Sequence, residues 1–144
     1  MKTNEEPIIV EQEMKKSVDI VWSAITDIDQ MRQWYFDNIP AFKPEVGFET
    51  RFMVESETRE FLHIWKVTEV IPQKFIKYNW SYEECVGDSF VVFELFKQNS
   101  STLLRLSHHV TEDFPDDISE FTRESGLAGW TFFIKQRLKE FLEK

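Results

Sequence analysis

The stretch Gly126-Leu127-Ala128-Gly129-Trp130, continued by Phe133, Ile134, Leu138, Phe141 and Leu142, is the strongest constraint on what this chain can become. Its apolar residues recur at three- and four-residue steps, the period of an amphipathic helix that must bury one stripe. The segments before it are short runs rich in Val, Ile, Phe and Tyr. They read as strands of an antiparallel sheet rather than as alternating strand and helix units. A long helix on a curved sheet encloses apolar volume. The functional question is whether that volume is a ligand cavity, a filled core or the back of a partner-binding face.

The 144 residues suit one domain spanning 1–144, which at this size buries about 70% of the unfolded chain's surface. Aromatic residues make up 15% of the chain, including 14 Phe and 5 Trp, enough large flat side chains to shape or fill an interior. A formal net charge of -9 argues against nucleic acid or an anionic membrane as partner, since both select basic patches. Cys85 is the single cysteine, so an intramolecular disulfide and a cysteine-rich zinc site are both excluded. No apolar stretch of signal-peptide length follows Met1–Pro7, and none approaches the roughly 20 residues that span a bilayer. The expectation is a cytoplasmic monomer.

Along the chain, Ile8 to Met14 reads as a first strand. Ser17 is placed to cap a short helix whose stripe is Val18, Val21, Trp22 and Ile25. Asp27 with Gln30 has capping-box spacing, which predicts a second short helix carrying Met31, Trp34 and Tyr35. The two prolines and the glycine between Pro40 and Gly47 make a loop. Five further strands follow, at Phe48 to Val54, Phe61 to Val70, Phe75 to Tyr82, Ser89 to Phe96 and Thr102 to Val110, with short polar separators of meander type. Asp117 with Glu120 repeats the capping-box spacing, so the last helix is expected from about Ile118, or from near Ser125, to Leu142.

Four motifs follow this order. Val21-Trp22-Ser23-Ala24-Ile25-Thr26-Asp27 with Trp34 resembles the V-W-x-A-[IL]-T-D…W opening of the family named for the activator of heat-shock protein 90 ATPase. Val67-Thr68-Glu69-Val70-Ile71-Pro72, then Ile76-Lys77-Tyr78-Asn79-Trp80, is similar to its V-x-E-V-x-P…L-x-Y-x-W centre. Thr102 to His108 resembles its T-x-L-x-L-x-H strand, and Gly129-Trp130 with Leu138 its G-W…L helix. The resemblance implies the α+β helix-grip fold of the START-like (SRPBCC) superfamily: a six-stranded curved antiparallel sheet around a long C-terminal helix, with two short helices between strands one and two. A chaperone partner is a further implication. Trp65 stands where that family often has Gly, so its indole is expected to intrude on the interior or displace its strand.

Strand alternation puts Phe61, His63, Trp65 and Val67 on one face, as it does Ile76, Tyr78, Trp80 and Tyr82, then Val91, Phe93 and Leu95, then Leu104, Leu106 and His108. If these faces are concave, they meet Leu127, Trp130, Phe133 or Ile134, and Leu138 from the helix. The candidate ligand-binding set is therefore Trp34, His63, Trp65, Tyr78, Trp80, Phe93, Leu104, His108, Leu127, Trp130 and Ile134, and the bland alternative is a filled core. Covering about 250 Å² of an apolar ligand contributes about 6 kcal/mol, whereas association costs at least about 4 kcal/mol. A physiological ligand thus needs polar anchors, for which His63, Tyr78 and His108 are the candidates.

Other chemistry finds less support. His108 and His109 are strand neighbours that point to opposite faces, and no carboxylate or thiol spacing completes a metal site. A Gly-x-Ser-x-Gly nucleophile elbow is missing, and Gly126 and Gly129 lack the phosphate-binding pattern; those glycines are expected to let the helix approach the sheet. Cys85 lies beside Glu83, Glu84 and Asp88, which disfavour a thiolate and suit a turn residue. Lys135, Arg137, Lys139 and Lys144 either solvate an exposed helix face and complement its dipole or dock an acidic partner such as a chaperone. The leading reading is a non-enzymatic binder of a small hydrophobic or amphipathic ligand, without cofactor or metal. A module that stimulates the chaperone ATPase is the alternative, and a cyclase- or dehydratase-like enzyme using cavity His and Tyr is a second.

Overall fold

In the computed structural model, residues 1–56 and 59–144 are described. Six strands form one antiparallel sheet: β1 (Ile8–Met14), β2 (Glu49–Glu55), β3 (Glu60–Ile71), β4 (Phe75–Tyr82), β5 (Asp88–Gln98) and β6 (Ser101–Glu112). Their spatial order is β1-β6-β5-β4-β3-β2. Short turns join sequence neighbours from β3 to β6, while β1 returns to the free side of β6, pairing Ile8 with His108 and Met14 with Thr102. The hairpin turns use residues that tolerate a positive φ, Gln73 at 64° and Asn99 at 46°. Two short helices, α1 (Val18–Thr26) and α2 (Ile28–Trp34), separate β1 from β2. This is the helix-grip architecture that the resemblance implies.

The third helix, α3, runs from Arg123 to Leu142, with an α-helical start (Arg123–Trp130), a π-wound middle (Thr131–Leu138) and an α-helical last turn (Lys139–Leu142). Its buried residues Trp130, Ile134, Leu138 and Leu142 are spaced by four throughout. On a regular α-helix each four-residue step overshoots one turn by about 40°, so the stripe would drift about 120° over three steps. The wider π winding turns the other way and keeps the stripe on the sheet.

The helix starts are partly as expected. The Asp27 side chain accepts from the Gln30 backbone N–H, which is the first half of a capping box. Ser17 occupies the predicted N-cap position, yet its hydroxyl donates to Asp19 Oδ1 at 2.5 Å rather than capping α1. Of the two expected starts of α3, about Ile118 with Asp117 as its cap and near Ser125, the structure is closer to the later one. Ser119–Phe121 is a single 3₁₀ turn, and α3 is capped by Thr122, whose hydroxyl accepts from Ser125 N–H. Ile118 and Phe121 both bury their side chains in this segment ahead of α3.

The core sits between the concave face of the sheet and α3, closed at one end by α1 and α2. At the opposite end Phe61, Tyr82, Phe114 and Phe121 pack together, with ring centroids 4.7 to 5.8 Å apart. Gly87 makes that closure possible: its φ is +114°, and the Phe114 ring lies where a Cβ would project. Among the described residues, no helix is long and apolar enough to cross a membrane.

Candidate functional site

Alternation along the central strands delivers Trp65, Trp80, Tyr78 and Phe93 to the concave face, and register places Trp65 directly opposite Trp80. Thr68 is the extra residue of a bulge between Val67 and Glu69, three residues beyond Trp65, whose own pairing is regular. Trp65 is 1% exposed. The sheet therefore accommodates it inward, where it fills space. Tyr35 and Phe36, at the end of α2, reach into the same space. Tyr35 stacks on Trp34 at 4.5 Å and approaches Trp65 at 5.1 Å and Phe133 at 5.0 Å. Phe36 lies 5.0 Å from Phe133 and 6.0 Å from Trp65. The volume between helix and sheet is thus occupied by rings in edge and tilted contacts. Of these, Phe36 and Phe133 are the half-buried ones, on the side where α2 meets α3.

His108 is the centre of a closed hydrogen-bond chain. Trp130 Nε1–H donates to His108 Nδ1 at 3.0 Å, which fixes the imidazole proton on Nε2. That proton goes to Ser89 Oγ at 2.9 Å, and the Ser89 hydroxyl donates to the Trp80 carbonyl at 2.7 Å. Every hydrogen and lone pair of the neutral ring is spent. Burial disfavours the charged ring, with smaller repulsion from His109 and the N-terminus, so the His108 pKa falls to about 3. His63 is held similarly. Its Nδ1 lies 3.1 Å from the Phe61 carbonyl and must carry the hydrogen, leaving the lone pair on Nε2. Burial lowers its pKa to about 4.

Tyr35 and Tyr78 share one hydrogen bond between hydroxyls 3.0 Å apart, and burial raises both pKa values above the ordinary phenol range. Trp80 Nε1–H donates to Tyr82 Oη at 2.9 Å, and Trp34 Nε1–H to the Ala24 carbonyl at 2.7 Å. Trp65 differs: its Nε1–H is buried without any partner.

The structure brings Trp34, His63, Trp65, Tyr78, Trp80, Phe93, Leu104, His108, Trp130 and Ile134 together in the interior. Leu127, expected among them, is 43% exposed. The reason lies one residue earlier. Gly126 sits against Ile8 and Met1, which turns the next residue about 100° around the helix toward solvent. Gly126 thus makes the close approach expected of both glycines, whereas a Cβ at Gly129 would meet nothing within 4 Å. Tyr35, Phe36 and Phe133 complete the site. The sequence places Phe133 or Ile134 against the concave face and puts Tyr35 on the second short helix without assigning it to the site. The signal was the run Trp34-Tyr35-Phe36, three aromatics that one helical stripe cannot bury together.

The remaining candidates have structural surroundings. His109 stacks on Phe90 at 4.6 Å on the outer face, under Lys77. Burial and the neighbouring Glu84 push the Cys85 thiol up, away from a reactive thiolate. Lys135 Nζ donates to the Glu11 carbonyl at 2.8 Å and Arg137 Nη2 to the Gln33 carbonyl at 2.7 Å, while Lys139 pairs with Glu143 at 3.1 Å. These cations tie α3 to β1 and α2 and close its last turn. Among the described residues, no three His, Cys, Asp or Glu side chains are grouped so as to hold a metal ion.

Comparison with known proteins agrees with this geometry. DynU16, a protein of the dynemicin biosynthetic locus, superposes with a TM-score of 0.76 at 24% identity over 97% of this chain, which spans about half (48%) of that longer protein. Protein CV1439 from Chromobacterium violaceum gives 0.78 at 17% identity, covering 96% of this chain and 97% of the other. The solution structure of an Aha1 dimer from Colwellia psychrerythraea gives 0.72 at 21%, again over 96% and 97%. At these identities the likeness is one of fold. No curated protein matches. Residues 15–143 match the family described as "Activator of Hsp90 ATPase homolog 1-like protein", and the chain belongs to that family.

Proposed function

We propose that this protein is a non-enzymatic binder of a small hydrophobic or amphipathic molecule, taken up among the aromatic rings between α3 and the sheet. The observation that carries this reading is the unpartnered Trp65 indole. A buried N–H without an acceptor costs about 1–3 kcal/mol, and a guest that supplies the acceptor recovers it. In the structure as it stands the rings fill the space, so entry requires some of them to move. Phe36 and Phe133 are half-buried and touch each other at the seam between α2 and α3, and outward rotation of both would uncover Tyr35 and Trp65. Acid–base catalysis is disfavoured by the same site, since His108 has no free valence and both buried histidines stay neutral near pH 7.

The test is a titration of ¹⁵N-labelled protein with a flavone and with a long-chain fatty acid, following backbone and indole N–H signals. Shifts concentrated on Tyr35, Trp65, Tyr78 and Trp130 are expected from at least one probe. Spectra in which the interior signals never move would end this reading. The family description favours a second one, a module that engages heat-shock protein 90. Co-purification with the chaperone and stimulation of its ATPase would support it, and absence of both would remove it.

A further inference from the structure

Away from the interior, the sheet leaves one residue's backbone groups open at a step in its outline. The register of β4 on β5 ends at Phe75 opposite Glu94, whereas β5 stays paired with β6 as far as Gln98 opposite Ser101. The β5–β6 hairpin therefore overhangs the β3–β4 turn. In an antiparallel sheet, successive residues of a strand direct their N–H and C=O to its two neighbours in turn. Leu95 N–H donates to the Lys74 carbonyl at 2.8 Å, so residues of that phase face the β4 side. Lys97 is the next of them. Its N–H and C=O point to where β4 and its turn have already ended, and among the described residues no strand pairs with them.

The step forms a groove of about 860 Å³ with the start of α1 along one wall, a size at which guests are commonly held. Val18, Pro72, Phe75 and Leu95 line it with apolar surface, and Lys74 and Lys97 add ammonium groups. Among the described residues, neither lysine takes part in an ion pair. The carboxylates at the groove are otherwise engaged: Asp19 accepts from the Ser17 hydroxyl, and Glu94 stands opposite Arg105 on the outer face. Two cations thus remain for a guest to meet. The overhang offers the bonds of one residue, enough to align a single extended segment and too few to seat the edge of another sheet.

We infer that this groove takes an extended acidic peptide, which adds beside β5 by pairing with Lys97 N–H and C=O and sets its carboxylates against Lys74 and Lys97. In strand addition of this kind, main-chain bonds hold the guest and side chains select it.

The test titrates ¹⁵N-labelled protein with acetyl-Val-Glu-Val-Glu-Val-amide and with its glutamine counterpart. The Lys97 backbone N–H signal is expected to move downfield as it gains an acceptor, with further shifts at Val18 and Lys74. The acidic peptide should bind about fivefold tighter than the neutral one, the worth of two exposed ion pairs. With Lys74→Gln and Lys97→Gln combined, that preference should fall below about twofold. Lys97→Pro removes the open N–H but none of the bonds to β6, and should bind the neutral peptide about tenfold more weakly than Lys97→Gln does. Should the proline variant not fold, the Lys97 N–H signal of the natural protein decides. A Lys97 signal that stays fixed as peptide binds, equal binding of the two peptides, or no binding at millimolar peptide would overturn the assignment. The groove lies apart from the aromatic interior, so each of those results leaves the binder reading standing.

Discussion

Acidification is a sharp probe of the interior, because His63 and His108 are buried as neutral rings and must gain protons when the chain unfolds. In the unfolded chain each titrates near the ordinary value of about 6.5; in the folded protein His63 does so at about 4 and His108 at about 3. Between those limits the unfolded state holds more protons, so stability falls as pH falls. Each pH unit below 6.5 costs about 1.4 kcal/mol per histidine. By pH 5 this amounts to about 2 kcal/mol for each ring, and that figure does not depend on where below pH 5 the folded rings titrate. The carboxylates work against the effect, since a chain with a net charge of -9 sheds self-repulsion as it is acidified. The informative quantity is therefore a difference between proteins. Urea unfolding followed by tryptophan fluorescence at pH 7 and pH 5 should show the pH-dependent loss shrinking by about 2 kcal/mol in His108→Asn and by a similar amount in His63→Gln. Each variant will be less stable at pH 7. If either variant keeps the natural protein's full pH dependence, or if the imidazole signals of the folded protein titrate near pH 6.5, the neutral-histidine account fails.

Two further comparisons test backbone arguments. Gly87→Ala should lower stability by more than about 1 kcal/mol, because φ there is +114° and the Phe114 ring occupies the Cβ position, whereas Gly129→Ala, in open space within α3, should raise it by about 0.5–1 kcal/mol; thermal unfolding of both reads the opposite signs. Thr122→Ala should cost about 1 kcal/mol by loss of the α3 cap, and Asp117→Ala should leave the urea midpoint nearly unchanged, an order that reverses if α3 begins where its capping-box spacing suggests.

Strand alternation made most of the fold legible before any coordinates. The inward residues of β3 to β6 were assigned correctly because a period of two has only two phases, and one phase carried the large apolar side chains. His108 could be placed on the inner face in the same way. Its partners could not, because Trp130 and Ser89 come from segments whose registers relative to β6 are set by the whole assembly. Leu127 went wrong for a related reason. Helical periodicity identifies a stripe but not its phase at an end where a glycine replaces a side chain, and contact with Ile8 settled that phase. The π winding of Thr131–Leu138 was not legible, because the three- and four-residue steps of Trp130, Phe133, Ile134, Leu138, Phe141 and Leu142 fit an ordinary amphipathic helix equally well. The role of Tyr35 and Phe36 was hidden, because residues just past a helix end have no periodicity to report.

The sheet has two borders, and the chain guards each differently. On the β1 side, α3 lays side chains over the strand and its flanks: Lys135 holds the Glu11 carbonyl, Arg123 that of Pro7, and Glu143 the Lys15 amide. On the β2 side, Asn38 occupies the Met53 carbonyl, and Glu49, Arg51 and Glu55 place charges along the strand. Carbonyls that an incoming strand would need are already taken, and charges meet whatever approaches. A protein so rich in aromatic residues is thereby kept from extending its sheet into its neighbours.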